Sequence, residues 1–90
     1  MSWPANTADP SPPRAWRFLI ELDAGSDALV RTLGPFAHQG AEILRLTLAP
    51  SESAVRLEVE AGGLDPGRAD HLRRRLAGMP AVRSVSAGWR

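Results

Sequence analysis

Few side chains in this sequence can do chemistry. His38 and His71 fall on two different predicted helices, and neither has a second ligand-type residue at i+4 on its face, the spacing with which a helix presents two ligands to a metal. The chain has no cysteine, which excludes thiolate metal sites, disulfides and thiol nucleophiles. Asp23 and Asp27 flank the turn Asp23-Ala24-Gly25-Ser26. As a general acid–base pair they need burial and a partner nucleophile. A helix starting at Ser26 accounts for both more simply, since carboxylates suit its positive end. The segment DAGSDAL carries one glycine, too few for a phosphate-cradling loop, and leaves only a helix N-terminus as a weak anion site. No serine has an evident base and orienting group. These residues do not point to an enzyme; no catalytic residue, metal or cofactor is expected.

Composition agrees. Ninety residues make one small domain with one thin core. Eleven basic residues, all arginine, nearly balance ten acidic ones for a net charge of +1, so no polyanionic partner is required. Apolar residues make up 43% and charged residues 23%, ordinary for a globular domain. No apolar run is long enough to cross a bilayer, and MSWPANTADPSPP lacks the basic start and apolar stretch of a secretory signal. The expected setting is cytoplasmic, without a membrane partner.

The elements that must position these residues are legible from periodicity. Residues 1–14 hold Pro4, Pro10, Pro12 and Pro13 among small polar residues, a composition that supports neither helix nor ladder, and they are expected to form a disordered arm. Residues 15–90 form the domain. Trp16, Phe18, Ile20 and Leu22 alternate with Arg17, Leu19 and Glu21, giving a first strand. Leu29, Leu33, Phe36 and Ala37 then recur on one helical face, with Gly40 as a stop. Gly34-Pro35 lies inside that helix and predicts a bend, because an interior proline removes a hydrogen bond. Ile43 to Ala49 forms a second strand with Leu44, Leu46 and Leu48 on one face. Val55, Leu57 and Val59 against Arg56, Glu58 and Glu60 give a third strand, one face buried and one wet. Asp65-Pro66 is a cap and first turn for a second helix that points Ala69, Leu72 and Leu76 inward and ends at Gly78. Val82 to Trp89 forms the last strand.

The order βαββαβ predicts an α+β, ferredoxin-like fold: a four-stranded antiparallel sheet with both helices on one face. RNA-recognition modules share this order but stack bases on sheet aromatics. Here the wet face offers Arg56, Glu58 and Glu60, and Trp16 and Trp89 fall on the apolar sides of their strands, so nucleic acid is not the expected partner. Metal chaperones of the same order need paired cysteines, which are absent.

One stretch is more specific. LGPFAHQGAEILRLTLAP, Leu33 to Pro50, resembles the ACT domain of the small regulatory subunit of acetolactate synthase: a helix closing on Leu/Ile-Gly-x-Phe, a glycine four residues after the Phe, then an aliphatic strand ending in Ala-Pro. HLRRRLAGMPAVRSVSAG is similar to that family's second helix and last strand. The likeness spans residues 16–89.

The resemblance implies a homodimer joined through the second strand and first helix, with Leu44, Leu46, Leu48 and Phe36 at the contact. A two-fold pairing of this kind would also close an exposed sheet edge. It implies a small amino acid bound between the first turn of one protomer and its neighbour, at Asp23, Ala24, Gly25, Ser26, Asp27, Glu42 and Ile43. It further implies docking on, and activation of, a thiamine-diphosphate-dependent large subunit in branched-chain amino acid synthesis. Valine-sensitive relatives carry Asn, Gly and Asn where this chain has Ala24, Asp27 and Glu42. Amide donors are lost and two carboxylates stand where an amino acid carboxylate would sit, so valine feedback is expected to be weak or absent. The wet sheet face and the Arg73–Arg75 helix both remain open as docking surfaces. Two other readings also stand at this point: a free-standing amino-acid sensor with a ligand other than valine, and an RNA-binding module.

Overall fold

The computed structural model describes residues 15–89. The arm at residues 1–14 and the terminal Arg90 lie outside the described residues. The elements are β1 (Trp16–Asp23), α1 (Ser26–His38), β2 (Glu42–Pro50), β3 (Ala54–Gly62), α2 (Pro66–Ala77) and β4 (Val82–Trp89). The strands make one sheet in the order β2-β3-β1-β4, every neighbouring pair antiparallel. This is the expected βαββαβ fold, with β2 and β4 as edges.

The core lies on one face of the sheet. Register opposes Phe18 to Val59 and Ile20 to Leu57, while Ile20 also faces Val85 on β4. Directly opposed residues share a face. Phe36 of α1 and Ala69, Leu72 and Leu76 of α2 enter the same buried cluster, so both helices cover that face. Trp16 closes one end. Its indole N–H donates to the Leu64 carbonyl at 3.1 Å, and its ring lies 4.4 Å from that of Trp89.

The helix ends follow their local chemistry. Asp65 caps α2, its Oδ1 accepting the Arg68 backbone N–H at 2.8 Å, with Pro66 at the first helical position. Past α1, Gly40 adopts φ 71° and its N–H donates to the Ala37 carbonyl at 3.0 Å, the left-handed stop that glycine serves best. The helix runs through Pro35 as one element. Residues before proline avoid the helical region because Cβ meets the pyrrolidine ring, and Gly34 has no Cβ to meet it.

α1 departs from expectation in which face it buries. Ala28, Thr32, Pro35 and Phe36 are buried, Leu29 and Leu33 are half-buried, and Ala37 is exposed. The Leu29 flank leans toward β2, where no further element covers it among the described residues. Thr32 is the residue the pattern misses: a wholly buried hydroxyl, satisfied by donating to the Ala28 carbonyl at 2.7 Å.

Candidate functional site

The residues expected to hold a ligand fall into two groups at opposite ends of the sheet. Asp23 pairs with Ala54 across β1 and β3, whereas Glu42 pairs with Gly62 across β2 and β3. Eight steps along β3 separate the two, roughly 26 Å at strand rise. Within one protomer, therefore, Glu42 and Ile43 do not join Asp23, Ala24, Gly25, Ser26 and Asp27.

The turn group has a defined geometry. Gly25 stands at the N-cap of α1 with φ 125° and ψ 144°, and no side chain caps the helix. The first-turn amides therefore keep their hydrogen-bonding capacity for solvent or a ligand. Beside them is an apolar hollow of about 240 Å³ lined by Leu22, Leu29, Leu48, Pro50 and Val55, with Gly25 and Ser26 at its mouth. Pattern reading did not assign these five lining residues to the site. They converge only because β2 and β3 turn back beside the exit of β1, with Pro50 opposite Val55. Recognising them takes the strand order.

The two carboxylates at the turn are both engaged. Asp23 accepts the Arg83 Nε–H at 2.8 Å, and the same guanidinium donates to the Ser53 carbonyl at 3.0 Å. This clamps the end of β1 to β4 and to the β2–β3 turn, and gives Asp23 a structural duty. Asp27 lies 3.2 Å from Arg31 one helical turn on, both well exposed. Ala24 is exposed and offers only its backbone.

Gly25 is the turn's weak point for substitution. No atom lies within 4 Å of an added Cβ, but its φ of +125° is one that L side chains rarely adopt. Gly25→Ala should therefore cost about 1–3 kcal/mol through backbone strain alone. Thermal unfolding followed by circular dichroism checks this; an unchanged midpoint would mean the turn does not hold that conformation.

Edge strand β2 is exposed along its whole length. Ile43, Leu44, Leu46 and Leu48 retain 42%, 44%, 38% and 44% of their surface, an apolar strip on an edge that no strand pairs among the described residues. The expected single-face run is interrupted. The register slips between Ile43 and Arg45, leaving Leu44 as the extra residue of a bulge, while Leu46 and Leu48 oppose Val59 and Leu57 on the helix side. Phe36, expected at the dimer contact, is instead fully buried within the protomer, edge-on to Phe18 at 5.1 Å. Helical phase turns it into the sheet, and it has no surface left for a partner.

The open sheet face is mixed in charge. Arg17 lies 3.1 Å from Glu58, Glu21 opposes Arg56, and Arg45 opposes Glu60. Trp16 and Trp89 pair in register with the core-facing set, so among the described residues this face presents no aromatic platform for bases. His38 and His71 are both exposed on separate helices. Among the described residues, no helix is long and apolar enough to cross a membrane.

The sequence matches no protein-family profile and no curated protein sequence. Its fold does match solved structures. The C-terminal domain of the MgtC protein from Mycobacterium tuberculosis superposes with a TM-score of 0.73 at 12% identity, covering 92% of this chain and 94% of that one. The ACT domain from GTP pyrophosphokinase of Chlorobium tepidum superposes with a TM-score of 0.71 at 11% identity in its crystal structure, covering 82% and 96%. Its solution structure gives 0.69 at 11% identity, covering 82% and 84%. At such identities the likeness concerns the fold, which is ACT-like.

Proposed function

We propose that this chain is a non-catalytic ACT-type regulatory subunit: a homodimer that docks on the large subunit of a thiamine-diphosphate-dependent acetolactate synthase and raises its turnover, with weak or absent feedback by valine. The observation that carries this reading is the coincidence of an ACT-like fold with the Leu33–Pro50 segment. The exposed β2 edge supports the dimer. Antiparallel pairing of two β2 strands about a two-fold axis sets the start of one strand beside the end of the other. That arrangement would bring the partner's Glu42 and the partner's Ile43 to the hollow and bare helix end of the first copy, reuniting the two halves of the ligand site. The cofactor in this reading belongs to the large subunit.

Activation is a coupling free energy of typically 1–3 kcal/mol. Adding the chain to its cognate large subunit should thus raise kcat about 5- to 150-fold, read in a steady-state acetolactate assay. An unchanged rate across a titration to saturation would refute the assignment to this enzyme.

A second reading is favoured by the hollow itself. An apolar cup of about 240 Å³ beside uncapped amides suits a small amino acid with an aliphatic side chain, its carboxylate on the helix end. A free-standing sensor of such a ligand would bind it with no synthase present. Calorimetry with the twenty amino acids separates the two readings: tight binding of one of them, together with no effect on the synthase, selects the sensor.

A further inference from the structure

On the other flank of α1, away from β2, a groove of about 700 Å³ runs between the two helices. Arg31 and His38 of α1 and Arg74 and Arg75 of α2 form its exposed rim, and Pro35 and Met79 its more buried floor. The charge here is unbalanced. Asp27 serves Arg31, while Asp70 serves both Arg73 and Arg74 at 3.1 Å each. Arg75 has no ion pair among the described residues. Two carboxylates thus stand against three rim guanidiniums, and one of the two is shared with Arg73 outside the groove. These pairs are mostly exposed, so they hold the arginines only weakly and yield readily to another acid.

The helix ends do not cancel this charge. The carbonyls of Arg74 and Arg75 receive the Gly78 N–H at 3.2 Å, and the Pro35 carbonyl receives the Gln39 N–H at 3.1 Å. The open sheet face, in contrast, alternates in sign and has no such excess.

We propose that this groove grips a short acidic segment of a partner protein: Asp and Glu side chains on the arginine rim, an apolar side chain bedded on Pro35 and Met79. This rests on the regulatory reading above for the identity of the partner, and it selects the helix side over the sheet face as the docking surface. The chemistry fits a peptide. Arginine forks take carboxylates in bidentate pairs, and methionine adapts to varied apolar partners. The groove is far larger than a lone inorganic anion needs. Its lining holds no Phe, Tyr or Trp on which a nucleotide base would stack. The β2 edge lies on the opposite flank of α1, so the proposed dimer leaves the groove open.

The test uses the full chain, isotopically labelled, titrated with a synthetic peptide of Glu and Asp around a central Leu pair. Amide shifts should centre on Arg31, His38, Arg74, Arg75 and Met79, weaken with added salt, and require the acids, so that a lysine-substituted peptide does not bind. The double variant R74E/R75E, altered only at exposed positions, should melt like the parent and bind the acidic peptide at least about tenfold more weakly. Shifts centred on the sheet face, equal binding of both peptides, or none at millimolar concentration would overturn the proposal, as would a poly-uridine strand binding tighter than the peptide. The enzyme assignment fails separately. If the parent does not stimulate the synthase yet binds the peptide in the groove, the groove stands and the enzyme falls. If parent and R74E/R75E stimulate the synthase equally, the groove falls and the enzyme stands.

Discussion

The double variant Leu46→Glu/Leu48→Glu should sediment as a monomer at concentrations where the parent chain sediments as a dimer. Both residues face the helix side of the sheet opposite fully buried Val59 and Leu57, yet keep 38% and 44% of their surface. The reason is topological: among the described residues, β2 has a neighbour on one side only. In the proposed dimer a second β2 would supply the other. At about 0.8 kcal/mol per buried CH₂, the four leucines of a two-fold pair contribute roughly 3 kcal/mol if each gains about one methylene's worth of cover. Their loss alone raises the dimer Kd about two hundredfold. Like charges facing each other near the axis add to it. Because both side chains are already exposed in the protomer, the variant should remain folded, and its melting midpoint should lose the concentration dependence expected of the parent. Ultracentrifugation decides the matter. A variant that stays dimeric, or a parent that is monomeric at high concentration, removes the β2 interface.

Phe36→Ala should be the most damaging single substitution in the protomer. The ring is wholly buried, packs edge-on to Phe18 at 81°, and is the only large side chain that α1 buries completely. Truncation removes its transfer energy and leaves a cavity, together about 3–5 kcal/mol, while a domain of this size has roughly 5–13 kcal/mol in all. The melting midpoint should fall by roughly 15–30 °C. Phe36→Leu, which nearly conserves volume, should cost about 1.5 kcal/mol or less. This experiment also separates the two roles considered for Phe36. A core residue lowers protomer stability at every concentration, whereas an interface residue would leave the protomer intact and change only the dimer Kd. A loss below about 1 kcal/mol on truncation to alanine would contradict its place in the core.

The elements themselves were legible because their signals are local. Alternation in Val55–Glu60 needs only the two-residue period of a strand. Asp65-Pro66 marks a helix start because an oxygen acceptor and a ring without N–H both suit the first turn. Leu72 and Leu76 fall one turn apart and are both buried. From six such elements in this order, handedness leaves few arrangements, and the four-stranded sheet with two covering helices is the one adopted.

The candidate site was legible only in part. The bare turn at Gly25 could be located from Asp23-Ala24-Gly25-Ser26, but its companions could not. Leu22, Leu48, Pro50 and Val55 meet there because the strand order β2-β3-β1-β4 lays the end of β2 beside the end of β1. That order also carries Glu42 to the far end of the sheet. Asp23 lost its role as a free carboxylate to Arg83, sixty residues away in sequence. The arginine run at 73–75 could be read as a solvated helix face; its groove exists only where α1 contributes Arg31 and His38 opposite it.

By itself, then, the sequence determined what each segment becomes, since backbone geometry and side-chain polarity act over a few neighbouring residues. Which flank of α1 is covered, which strand is left on the edge and which charges meet were decided by the tertiary structure. Those outcomes depend on contacts between residues that chain order alone does not bring together, and they come into being only when the sheet closes.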